Sequence, residues 1–109
     1  MNELVLNLQK VREYLTPKGR WTQRALFRDA AGNSISTLDE YENRATCACL
    51  LGAIHISVPP QHIDSVKRAI VGQLPPSAAG VIHWFNDDLG TRQSDVLAVI
   101  DRAIEKVAA

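Results

Sequence analysis

Three features of the sequence predict a mainly α fold of the α+β type, with about four helices around one core and a small β-hairpin or short strands. Apolar residues recur roughly every three to four positions in four separate segments, the spacing of a helix with one buried face. Two short extended segments flank the turn residues Gly32 and Asn33. The pairs Pro59–Pro60 and Pro75–Pro76 interrupt the pattern where helices must stop.

Residues 3–15 are the first expected helix. Leu4, Leu8, Val11 and Leu15 form one apolar stripe, Asn2 can cap the free N–H groups, and Pro17 and Gly19 end the segment. Leu26–Asp29 and Ser34–Ser36, joined through Ala30–Asn33, suggest a hairpin, which is marginal alone in water and so must lie on the helices. Thr37 and Glu40 have the spacing of a capping box. Behind them Cys47, Leu50, Leu51, Ile54 and Val58 share a helical face, which places a helix somewhere within 38–57. Pro60 suits the first position of another helix, with Ile63, Val66, Ile70 and Leu74 as its stripe. Ser77–Gly80 reads as a loop or single turn. Val81–Phe85 is too short to decide between strand and helical turn, and Asn86–Gly90 reads as a loop. Thr91 is the expected cap of the last helix. There Val96, Ile100, Ala103 and Val107 run along one side with Leu97 and Ile104 beside them, and Asp101, Arg102, Glu105 and Lys106 face water.

The 109 residues, 46% hydrophobic and 22% charged, have an ordinary globular composition and fit one domain over 1–109. Lysine plus arginine, 12, equals aspartate plus glutamate, 12, which argues against direct nucleic-acid binding driven by bulk charge. Two each of Trp, Tyr and Phe leave no platform for stacking bases. No secretory signal is visible and no apolar run is long enough for a membrane, so a cytoplasmic, reduced protein is expected. Nothing in the composition excludes a homo-oligomer.

Chemistry-bearing patterns are sparse. Cys47 and Cys49 are too few and too close for a disulfide framework. On a helix they would point roughly 200° apart and could not chelate one ion. Cys47, lying in the apolar stripe, reads as a small core residue. A cysteine nucleophile needs a base within hydrogen-bond reach. His55 would sit too far up the same helix, and His62 or His83 could approach only through tertiary folding. No phosphate loop, dinucleotide glycine pattern or nucleophile elbow is present, so no catalytic residue, metal ligand or cofactor is assigned. Gly52 inside a helix costs about 1 kcal/mol relative to alanine, which suggests a tight helix crossing.

The candidate binding residues come from two aromatic segments and one charge cluster. Arg20-Trp21-Thr22-Gln23 and His83-Trp84-Phe85-Asn86-Asp87 each set a large ring beside short polar groups, as ligand pockets and interface hot spots do. The simpler alternative is that tryptophan anchors the core while Asn86 and Asp87 satisfy backbone groups. Between Lys10 and Arg28 lie six basic residues and one acidic residue, whereas acids gather at Asp39–Glu42 and Asp87–Asp88. Such a basic patch can recognise an acidic protein surface or a phosphate, or simply be a solvated face. The candidate set is Arg20, Trp21, Gln23, Arg24, Arg28, Trp84, Asn86 and Asp87.

The segments Trp21-Thr22-Gln23, Arg28-Asp29-Ala30-Ala31-Gly32, Cys49-Leu50-Leu51-Gly52-Ala53, Trp84-Phe85-Asn86-Asp87 and Val96–Ile104 together resemble a domain-of-unknown-function family of short bacterial and phage proteins. Phe85 is inserted in the family's W-N-D element, so Trp84 or Phe85 fills its ring position. Thr91-Arg92 stands where the family has R-T. The resemblance implies fold and origin but no activity. On this basis the expected function is a small non-enzymatic interaction protein, in its most concrete form a phage or mobile-element inhibitor of a host defence system, anti-CRISPR-like, that binds a host protein with an acidic surface. The alternative is a module for a small molecule or nucleotide between Trp21, Arg28 and the Trp84–Asp87 segment. A cysteine-dependent enzyme is the third possibility.

Overall fold

The computed structural model describes residues 2–35 and 44–109. Helix α1 (Glu3–Leu15) starts where Asn2 accepts the Leu4 N–H at 2.9 Å, and it buries Leu8, Val11 and Leu15 completely. It packs along α5 (Gln93–Ala108) and α2 (Leu50–Ser57), so the core lies between these three helices, with α3 (Ile63–Val71) closing its side. Val66, Ile70, Val96, Val99 and Ile100 complete that interior. Val99 was not in the expected stripe of the last helix, whose buried face is wider than a single ridge. Burial of such side chains contributes on the order of 1.5–3 kcal/mol each before the entropy cost is counted.

The expected hairpin is present as β1 (Phe27–Arg28) and β2 (Ser34–Ile35), antiparallel, with Gly32 in the left-handed region at φ +84°. A third strand, β3 (Cys47–Ala48), pairs antiparallel with the other edge of β1, giving the order β2-β1-β3. This corrects the placement of Cys47. It lies in a strand and is half-buried, not on a helix face, and α2 begins only at Leu50. Strand pairing with Arg28 overrides the helical periodicity that Cys47 shares with Leu50 and Ile54. The capping box at Thr37 and Glu40, and the acids Asp39–Glu42, lie outside the described residues.

Pro60 opens a 3-10 turn (Pro60–His62) that runs directly into α3, and His62 Nε2 approaches Glu3 Oε1 at 3.1 Å, tying this turn to α1. A second 3-10 turn (Pro76–Ala78) ends with Ala79 and Gly80 in left-handed conformations. The undecided segment is a helix, α4 (Ile82–Asp87), which takes in Asn86 and Asp87 and so replaces the expected loop there. Asn86 belongs to the helix because it is fully buried with its amide satisfied by other elements. The cap of α5 is Arg92 rather than Thr91: its N–H is accepted at 2.9 Å by Asp95, which the hydrogen bond holds below the usual carboxylate range. Among the described residues, no helix is long and apolar enough to cross a membrane.

Candidate functional site

The segment from Arg20 to Leu26, the start of α2 and helix α4 meet around one side chain. Asn86 is 0% exposed, and its Oδ1 accepts both the Trp21 indole N–H at 2.6 Å and the Leu50 backbone N–H at 2.9 Å. Its Nδ2 donates to the Thr22 carbonyl at 3.1 Å and to Asp87 Oδ1 at 3.0 Å. The Asn86 carbonyl in turn accepts from Gln23 Nε2 at 2.9 Å, and Gln23 also reaches the Asp88 carbonyl. Leu50 opens α2, so its N–H has no partner within the helix, and Asn86 satisfies it from outside. The hub therefore unites Trp21, Gln23, Asn86 and Asp87 of the candidate set, but as an internal clamp that engages their polar groups.

Two other candidates are also occupied. Arg28 donates from Nε to Thr22 Oγ1 at 2.9 Å, and its two terminal nitrogens reach the Gln23 and Gly32 carbonyls. Its guanidinium thus fixes the hairpin to the loop before it and is not presented to a phosphate. Arg20 lies over the Tyr14 ring at 4.9 Å from the centroid, a cation–π contact. Arg12, within the same basic stretch, pairs with Asp101 at 2.6 Å. Half of the stretch that reads as one basic patch, Arg12, Arg20 and Arg28, is therefore taken up by internal tasks, because sequence proximity of charges does not reveal which of them a fold engages.

Arg24 differs. Its backbone is left-handed at φ +63°, and its N–H is held by Asp87 Oδ1 at 2.9 Å. A non-glycine residue in that region costs about 1–2 kcal/mol, and persists only where the surroundings determine it. Its exposed guanidinium has no hydrogen bond or ion pair among the described residues. Arg24 borders a cavity of about 270 Å³ whose other walls are Ala25, Leu26, Cys49, Leu51, His83 and Asp87.

Cys49 is the buried thiol, in the position sequence reasoning gave to Cys47. It caps α2, its Sγ accepting the Gly52 N–H at 3.3 Å. Burial pushes its pKa up, and nearby Asp87 adds to the rise, so the thiol is held neutral. The fold does bring His83 and Cys49 to walls of one cavity, which spacing alone could not show. The direction of the thiol shift is nevertheless opposite to that of an activated nucleophile. No group of three or more His, Cys, Asp or Glu side chains among the described residues could hold a metal ion.

Gly52 shapes the same region. A Cβ there would collide with the Leu26 carbonyl and crowd the Phe27 ring. The close neighbour is thus loop backbone, not a second helix as a tight crossing would require. That same carbonyl accepts the Cys49 N–H at 3.0 Å, locking the loop to the start of α2.

On the other ridge of α4, Trp84 is 56% exposed and does not anchor the core; Phe85, 7% exposed, fills the interior position instead. Leu89, just beyond, is 84% exposed. A second cavity of about 220 Å³ lies beside Trp84, between Pro75, Ala78, Phe85 and Thr91. The candidate set drawn from the sequence left out Leu89, Cys49, Leu51 and His83, although His83 stands in the second aromatic segment. The i,i+4 spacing of His83 and Asp87 would have joined them once that stretch was read as helical.

No curated protein and no solved structure matches the chain. A sequence family does, over residues 2–106, and the chain accordingly belongs to the family of unknown function DUF6197.

Proposed function

We propose that this chain is a non-enzymatic binding protein that docks on another protein through the end of α4. The observation that carries the reading is the outward placement of Trp84, 56% exposed, with Leu89, 84% exposed, close behind it in the chain. Isolated apolar residues on a surface are ordinary, but a tryptophan beside a side-chain-sized cavity is the composition of an interface hot spot. Burying the part of Trp84 still exposed, about 85–140 Å², would supply about 2–3.5 kcal/mol at roughly 25 cal/mol per Å². Lys10 and Lys18, which have no ion pair among the described residues, remain available to a partner with an acidic surface. In its most specific form the partner is a host defence complex and this chain its phage-encoded inhibitor, anti-CRISPR-like.

The test is affinity capture from the native cell with the unmodified protein and with a Trp84→Ser/Leu89→Ser variant in parallel. The variant is expected to melt within a few degrees of the parent, since exposed substitutions usually change stability by about half a kcal/mol each. It is expected to lose one partner that the parent retains reproducibly. A partner held equally by both proteins overturns the reading. Plaque formation on a defended host, with and without the variant, tests the inhibitor form.

A further inference from the structure

We infer that the trough beside Trp84 is the contact surface of a homodimer, in which Trp84 and Leu89 of each copy seat in the trough of the other. The inference rests on the reading that this end of α4 is a contact surface. It names a second copy of the chain as the occupant, one that a foreign partner must displace.

Shape is the first ground. The cavity of about 220 Å³ beside Trp84 adjoins another of about 310 Å³, since Pro75, Phe85 and Thr91 border both. Beyond them the trough follows α5 past Ala98 and Val99 to Arg102, and Arg102 also borders a further hollow that reaches Lys106. The stretch from Asp95 to Lys106 covers about 16 Å of that helix at ~1.5 Å per residue. Trp84, 56% exposed, and Leu89, 84% exposed, project at the opposite end. One face thus carries both projections and hollows, which is what an isologous contact needs. A two-fold axis through the middle of the trough, near Phe85 and Thr91, lays the projecting end of each copy on the hollow end of the other.

Charge is the second ground. Asp88 is exposed at the projecting end, and Arg102 and Lys106 are exposed at the hollow end. None of the three has an ion pair among the described residues. The two-fold that seats the apolar side chains also brings Asp88 of each copy toward Arg102 of the other, so opposite signs meet twice. Size sets the strength. A specific interface takes about a tenth of a small protein's surface, which for 6237 Å² is roughly 620 Å² per copy. That lies at the low end of specific contacts, so the dimer is expected to dissociate in the range of about 1–100 μM.

Sedimentation velocity of the purified chain, from about 1 to about 500 μM, should show a monomer–dimer equilibrium in that range. The Trp84→Ser/Leu89→Ser variant should stay monomeric throughout. Asp88→Lys and Arg102→Glu should each weaken association about tenfold or more, because each sets two like-charge pairs in its own dimer. Mixed in equal amounts, these two variants should recover the association of the parent, since both contacts of the mixed dimer again join opposite signs. Recovery in the mixture cannot come from misfolded chains, so it guards against a folding defect in either variant. The inference is overturned if the parent sediments as a monomer at every concentration, if the Trp84→Ser/Leu89→Ser variant dimerises as the parent does, or if the mixture gains nothing over the single variants. A monomeric parent leaves the docking reading to its own capture experiment, whereas a dimer with no captured foreign partner refutes that reading alone.

Discussion

Replacing Asn86 by alanine should come close to unfolding the protein. Four side-chain hydrogen bonds vanish together: those from the Trp21 indole and Leu50 N–H, and those to the Thr22 carbonyl and Asp87. Leu50 is fully buried, so its N–H has no ready replacement partner. Trp21 and Thr22 are only half-buried and can recover part of their loss from water. Charging about 1–3 kcal/mol for the buried orphan, and about half as much for each of the other three, gives a cost of about 2.5–7.5 kcal/mol. A domain of this size is worth only about 5–15 kcal/mol in total. Urea unfolding followed by circular dichroism measures the loss. Asn86→Asp separates the hydrogen bonds from the cavity, since it keeps the two acceptances but turns two donations into lone-pair contacts beside Asp87. The introduced carboxylate's folded pKa would be raised, so the folded state would bind the proton more tightly than the unfolded one. Stability of that variant relative to the parent should therefore fall as pH rises from about 4, the unfolded value, through the folded one. A cost below about 1 kcal/mol for the alanine variant, or a pH-independent difference for the aspartate variant, would refute the hub.

Gly52→Ala should destabilise by about 1–3 kcal/mol despite alanine's helix preference, because the new Cβ meets the fixed Leu26 carbonyl; chemical denaturation checks the sign. Arg24→Gly should leave stability unchanged or raise it by up to about 1 kcal/mol, relief of the left-handed strain being partly offset by a more flexible unfolded chain; a clear loss in thermal melting would contradict this. His55 has its pKa lowered by burial first and by Lys67 second, so the unfolded state takes up its proton before the folded one. Stability should consequently fall as pH drops through the unfolded value of about 6.5, and His55→Gln should flatten that part of the pH profile.

Much of the helical frame was legible because burial and periodicity agree there. Leu8, Val11 and Leu15 on α1 and Val66 and Ile70 on α3 are fully buried at the spacing the sequence shows. Legibility fails where a short segment's conformation is decided by distant backbone. Cys47 shares the helical phase of Leu50 and Ile54, yet its pairing with Arg28 makes it a strand residue. Asn86 and Asp87 have loop composition but lie in a helix, because Trp21, Thr22, Arg24 and Leu50 supply partners from 36 to 65 positions away. Of the candidate site, the fold brings Trp21, Gln23, Asn86 and Asp87 together, and only the fold shows that they bond chiefly to one another and to nearby backbone. Arg28 and Arg24 are indistinguishable as letters, and only the fold shows that the first is engaged and the second uncommitted.

Helix α4 explains why one short stretch carries so many of these features. Its residues divide by helical phase: Ile82, Phe85 and Asn86 turn inward, His83 and Asp87 border the Arg24 cavity, and Trp84 faces out. A helix of so few residues has almost no stability of its own in water. It is held by Phe85 in the core and by the Asn86 hub, so both candidate surfaces depend on that hub. Variants of Asn86 will disturb the surfaces on α4 together with the fold and cannot assign a function to either. Arg24 lies in the loop before β1 and Trp84 on the outward side of α4, and the uncommitted guanidinium and the outward ring can each be changed without touching the hub's side-chain bonds. A partner that masks Trp84 while leaving Cys49 open to alkylation would therefore establish that the two surfaces are separate sites.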